Sequence, residues 1–121
     1  MKIRYLSIFI LILIIMTFSG CEECEIYGFS PYYFNDGQVD SYYQERVFLD
    51  SECFPALEDY FLIGGILPPG LRLTRDGYVE GTPTRRGEYF FTIGAEVCFE
   101  EDFYGYYDCY YRSLGYSILI R

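Results

Sequence analysis

Turn signals cut this 121-residue chain into short runs of β-branched and aromatic residues, a rhythm that strands satisfy and long helices do not. Asn35-Asp36-Gly37, Pro68-Pro69-Gly70, Asp76-Gly77 and Thr82-Pro83 are the punctuation. Residues 88–97 give the clearest strand. Tyr89, Phe91, Ile93, Ala95 and Val97 share one face, and Phe90, Thr92, Gly94 and Glu96 share the other. Residues 116–120 repeat the pattern with Tyr116, Ile118 and Ile120. Residues 43–49 read as a weaker strand with Val47 and Leu49 inward. Residues 60–63 are a short continuous apolar run, expected as a strand buried on both faces. The sole helical candidate is one turn over residues 55–59. Strands at this spacing predict an all-β fold, an antiparallel sandwich.

The first 20 residues follow a different logic. Lys2 and Arg4 precede an apolar run over residues 6–18, broken by little but Ser7, and Ser19-Gly20-Cys21 closes it. Thirteen residues are short for a bilayer span, which needs about 20, and normal for the core of a signal peptide. Small residues followed by cysteine resemble the lipobox of bacterial lipoproteins, with Phe18 where that family usually has Leu. The resemblance implies cleavage before Cys21, lipid attachment at Cys21 and a location in the cell envelope, on an outer membrane or a cell-surface or periplasmic face. Residues 1–20 are then a signal peptide, 21–26 a lipidated N-terminus with a short tether, and 27–121 the folded domain. An uncleaved anchor and an unlipidated signal peptide are the alternatives.

Composition narrows the function. Beyond residue 20 the chain has seven arginines, no lysine and 18 acids, a net charge of −11. Such a chain repels phosphate backbones, so no nucleic-acid partner is expected, and it leaves an anionic membrane unless tethered. Histidine is absent. That excludes a Ser-His-Asp triad, a Cys-His pair and histidine metal ligands. Carboxylate pairs could still do acid–base work, but nothing marks two of the 18 acids as a pair. The expectation is a non-enzymatic domain with no cofactor. Cys24, Cys53, Cys98 and Cys109 are an even set in an exported chain, which predicts two disulfides in one of three pairings. Their spacings of 29, 45 and 11 residues hold no Cys-x-x-Cys pair for zinc.

One stretch carries a second resemblance. Residues 67–73 read Leu-Pro-Pro-Gly-Leu-Arg-Leu, and residues 77–93 contain Gly77-Tyr78-Val79-Glu80-Gly81-Thr82-Pro83, then Gly87-Glu88-Tyr89-Phe90-Phe91-Thr92-Ile93. These 27 contiguous residues resemble the immunoglobulin-like, cadherin-related modules of bacterial surface proteins, with Val79 and Ile93 as conservative departures. The resemblance implies an immunoglobulin-like or cadherin-like sandwich of about seven strands. The residues make sense as architecture. Gly70 can take a positive φ, Asp76-Gly77 can join residues 71–73 to 78–80, and Tyr89 is placed for a tyrosine corner.

In such a sandwich the four cysteines fall at one end, Cys98 closing the penultimate strand and Cys109 preceding the last. The preferred pairing is then Cys98–Cys109 with Cys24–Cys53, and Cys53–Cys98 with Cys24–Cys109 is the alternative. The loop between Cys98 and Cys109 is acidic and then aromatic, with Tyr104, Tyr106 and Tyr107 near its tip. Exposed tyrosines give contact area at low entropy cost, so these three are the candidate partner-binding residues, for an envelope protein or a glycan. The competing reading is that they cover the domain's own end and pack its small core. Cadherin-type calcium motifs are missing, and calcium is not expected. Two functional classes remain: a membrane-anchored binding or adhesion module, and a structural or envelope-assembly lipoprotein with no ligand of its own.

Overall fold

The structure, a computed structural model, describes residues 24–100 and 105–121; Cys21, the signal segment and Tyr104 lie outside the described residues. Eight strands follow in chain order: β1 (Ile26–Ser30), β2 (Tyr43–Arg46), β3 (Phe48–Ser51), β4 (Leu57–Gly65), β5 (Leu71–Leu73), β6 (Tyr78–Gly81), β7 (Gly87–Glu100) and β8 (Tyr107–Ile120). They form three antiparallel sheets, ordered β4-β7-β8, β2-β6-β5 and β1-β3. The molecule is all-β and packs as a sandwich. Residues 57–59, expected as part of a helical turn, open β4 instead, because Leu57 pairs with Cys98 and the ladder outweighs a weak local preference.

The core lies between the large sheet and the other two. From β7 come Phe91, Ile93, Ala95 and Val97, and from β8 Tyr116, Ile118 and Ile120, all buried. Opposite them stand Tyr43, Val47, Leu49, Leu71 and Val79. Each fully buried Val, Ile or Phe contributes about 1.5–3 kcal/mol. The alternation in residues 88–97 therefore places its face as expected. Residues 43–49 differ. They form two strands that change partners at Val47: β2 pairs with β6, β3 pairs with β1, and Val47 N donates to Gly77 O at 2.9 Å. Val47 and Leu49 still face the core, since the side-chain parity continues through the switch.

Two expectations need correction. The run 60–63 is not buried on both faces. Tyr60 is buried, while Phe61, Leu62 and Ile63 are exposed, because β4 is the edge of a three-stranded sheet whose outer face no other layer of the described residues covers. Cys98 does not end its strand, nor does Cys109 precede the next. They sit directly opposite one another inside a hairpin of two 14-residue strands that continues to Glu100 and Tyr107. Continuous pairing through both cysteines stabilises more backbone than a loop starting at them would.

The signature stretch serves turns. Gly70 has φ +94°, and a Cβ there would stand 2.0 Å from Thr82 O, so glycine is required both by conformation and by space. Between β5 and β6, Thr74 N donates to Tyr78 O at 2.8 Å and Gly77 N to Thr74 O at 3.0 Å, the tight turn expected at Asp76-Gly77. Tyr89 donates its hydroxyl to Arg85 O at 3.1 Å, pinning the chain that enters β7.

Candidate functional site

The two disulfides organise one end of the sandwich. Cys24 is bonded to Cys53 and Cys98 to Cys109. Ala56 N donates to Cys98 O at 2.8 Å, and Leu57 follows in register with Cys98. Cys53 lies three positions before Ala56, a reach of about 10 Å. The chain entry at Cys24 and the tip of the β7–β8 hairpin therefore share an end. Beyond the Cys98–Cys109 bond the hairpin presents Tyr106 and Tyr107, 69% and 50% exposed. Glu100 beside them is exposed as well.

Just inside the tip, aromatic and charged side chains brace the hairpin. Phe99 and Tyr110 meet edge-on with centroids 6.0 Å apart. Tyr110 donates to Asp108 Oδ2 at 2.6 Å, and the Arg112 guanidinium lies 5.8 Å from the Tyr110 ring centre. On the outer face Tyr111 donates to Glu96 Oε1 at 2.9 Å, and that bond to a carboxylate raises the Tyr111 hydroxyl above its ordinary pKa. The rich tyrosine content is thus divided. Tyr43, Tyr60 and Tyr116 are buried, each with its hydroxyl satisfied: Tyr43 donates to Asn35 O, Tyr116 to Pro31 O, and Tyr60 accepts from Leu49 N while donating to Glu58 Oε1. Burial pushes the Tyr60 pKa up to about 12 and raises those of Tyr43 and Tyr116 too. These tyrosines hold loops to the core, whereas Tyr106 and Tyr107 at the tip are exposed.

A groove beside this end is lined by Leu57, Glu58, Asp59, Arg75, Asp76, Glu96 and Cys98. Composition alone did not single it out. Three of its acids are engaged. Asp59 forms a two-pronged pair with Arg75 at 3.1 Å, which holds its carboxyl below the usual range; Glu58 accepts from Tyr60 and Glu96 from Tyr111. Donor atoms of Glu96, Cys98 and Cys109 converge within 4.8 Å, but both sulfurs are committed to the disulfide and offer no thiolate for a metal.

Sequence reading also missed an apolar surface on the outer face of the large sheet. Phe61 and Ile63 lie over Gly94, where a Cβ would stand 2.6 Å from each side chain, and Phe90 projects from the same face. The available signal was Gly94 itself, since a lone glycine in an alternating strand marks a close approach.

Neither a family model nor a curated protein matches this sequence. Among solved structures, the chain is similar to a protein from Bacteroides fragilis NCTC 9343 described as a putative alpha-galactosidase, with a TM-score of 0.50 and 20% identity. The match covers 81% of this chain and 17% of that one, so this chain corresponds to a small part of the neighbour's length. At this identity the likeness concerns the fold.

Proposed function

We propose that this chain is an exported lipoprotein anchored through Cys21, and that its folded part is an immunoglobulin-like, non-catalytic binding module of the cell envelope. The observation that carries this reading is the shared end. Cys24, three residues after Cys21 in the sequence, is disulfide-bonded beside the hairpin whose tip exposes Tyr106 and Tyr107. A tether attached there holds the tyrosines near the membrane surface, where their amphipathic rings can meet lipid headgroups or a neighbouring envelope protein or glycan.

The immunoglobulin-like assignment is supported by strand order. Leaving β1 and β3 aside, β2-β6-β5 and β4-β7-β8 match the B-E-D and C-F-G sheets of that architecture, and the Tyr89 hydroxyl on Arg85 O matches its tyrosine corner. Metabolic labelling with a radioactive fatty acid tests the anchor. Label is expected on the wild-type chain and not on Cys21→Ser; equal labelling of both rejects lipidation at Cys21. The Tyr106→Ser/Tyr107→Ser double variant tests the surface. It is expected to lose capture of envelope partners at an unchanged melting temperature. Unchanged capture with a lowered melting temperature assigns the two tyrosines to packing instead.

A further inference from the structure

The large sheet ends in two edges of different character. The β4 edge is interrupted: its pairing with β7 is irregular between Leu62 and Gly64, and Tyr60 N is already bonded to Arg75 O at 3.0 Å. The β8 edge runs for 14 residues in unbroken register with β7. Two observations establish which of its backbone groups point outward. Cys98 and Cys109 face one another with Cα atoms 4.1 Å apart, the narrow spacing of a non-hydrogen-bonded antiparallel pair. Leu119 O accepts from Gly37 N at 2.9 Å, and Arg121 N donates to Gly37 O, both on the side away from β7. Odd-numbered residues of β8 therefore aim their N–H and C=O groups away from β7. Residues 37–39 cover that side only at the C-terminal end. Among the described residues, no main-chain partner meets the outward groups between Tyr107 and Ser117.

A regular, uncovered edge of this length is a template for another strand, and proteins that do not use such edges usually interrupt or charge them. The strand's own side chains indicate the occupant. Residues 107–117 carry one acid, Asp108, and one base, Arg112, so this stretch is neutral in a chain of net charge −9. Both lie on the same face as Tyr110, two residues to either side of it. Arg112 Nη1 already rests on Tyr111 O at 2.9 Å, one of the outward carbonyls, so the guanidinium lies along the edge.

We propose that the outer edge of β8 binds a second copy of this chain, β8 to β8, antiparallel about a two-fold axis at Tyr110. This register pairs residue 109 with 111 and 107 with 113 of the second copy, all outward-facing positions able to exchange backbone hydrogen bonds. It sets Asp108 opposite Arg112 of the second copy, twice, in closely spaced non-hydrogen-bonded pairs. Two three-stranded sheets then become one six-stranded sheet with its open edge removed. The interface is isologous, so it closes at the dimer. The overall negative charge opposes association, but ionic strength screens it beyond about 8 Å, whereas the edge contacts are local. The proposal does not depend on lipid at Cys21.

The test uses the full chain in density-matched detergent, with sedimentation equilibrium and residue-resolved hydrogen exchange. A dimer is expected whose dissociation constant rises about tenfold or more in Ser113→Pro, which removes an outward donor and leaves the β7 ladder intact. Amides of 109, 111 and 113 are expected to gain protection as protein concentration rises. Asp108→Arg and Arg112→Asp should each weaken the dimer, and the double exchange should restore it. A monomer at every concentration, outward amides exchanging freely throughout, or a double exchange as weak as the singles would each overturn the proposal.

Discussion

Raising the pH should unfold this domain through three buried tyrosines, and the amount follows from their surroundings. Tyr43, Tyr60 and Tyr116 are 7%, 2% and 5% exposed, and each donates its hydroxyl proton to an acceptor that a phenolate would repel. Burial is the leading cause that raises all three, in Tyr60 from 10.0 to about 12. In the unfolded chain the same groups lose their protons near pH 10. Between that point and the folded pKa the native state binds more protons than the unfolded one, so stability falls as pH rises. By pH 11 each group costs about 1.4 kcal/mol, and the three together about 4 kcal/mol. That is a large share of the roughly 5–15 kcal/mol of a small domain. Urea unfolding followed by circular dichroism at pH 8, 9, 10, 10.5 and 11 measures it. Stability should be level to pH 9 and then fall, and in Tyr60→Phe the fall should shrink by about a third relative to that variant's own value at pH 8. A urea midpoint constant from pH 8 to 11, or a fall in Tyr60→Phe as steep as in wild type, refutes the reasoning.

Three further outcomes are expected. Replacing Cys24 and Cys53 by Ser should cost about 3.6 kcal/mol, and replacing Cys98 and Cys109 about 2.8 kcal/mol, since the first pair closes the longer loop; urea midpoints give both, and the reverse order contradicts the chain-entropy account. Gly70→Ala should destabilise by about 3 kcal/mol or more, because the Cβ would stand 2.0 Å from Thr82 O at φ +94°, whereas the nearest atoms to a Gly94→Ala Cβ belong to the Phe61 and Ile63 side chains and not to backbone, so that change should cost less, as thermal melts can show. Tyr89→Phe should lower stability by about 1 kcal/mol through loss of the bond to Arg85 O, without moving the tip, as urea unfolding and the spectra of Tyr106 and Tyr107 would report.

The site was legible in part, and the reasons differ by residue. The acidic-then-aromatic segment fits both a partner surface and a cover for the end of the domain, and the structure leaves Tyr106 and Tyr107 exposed. Tyr43, Tyr60 and Tyr116 could not be told from them by residue type. Their roles depend on acceptors eight, two and 85 residues away in the chain. The groove with Asp59, Arg75 and Glu96 was hidden for the same reason, since its members come from β4, the β5–β6 turn and β7. The acidic and aromatic residues after Cys98 read as loop, which puts Cys98 and Cys109 at strand ends. Direct cross-strand pairing carried both strands past them.

The amino-acid sequence by itself determined the all-β class, the face shared by Phe91, Ile93, Ala95 and Val97, the turn at 74–77 and the glycine at position 70. Those features arise from steric rules acting over a few neighbouring residues. Only the tertiary structure decided which faces are covered. The same period of two that buries one side of β7 leaves Phe61 and Ile63 of β4 exposed, because no layer of the described residues packs on that side of the sheet. It also decided that, among the described residues, β8 has no strand paired along most of its outer edge, since a strand's neighbours are chosen by the stacking and closure of the whole sandwich and are not written in the strand itself.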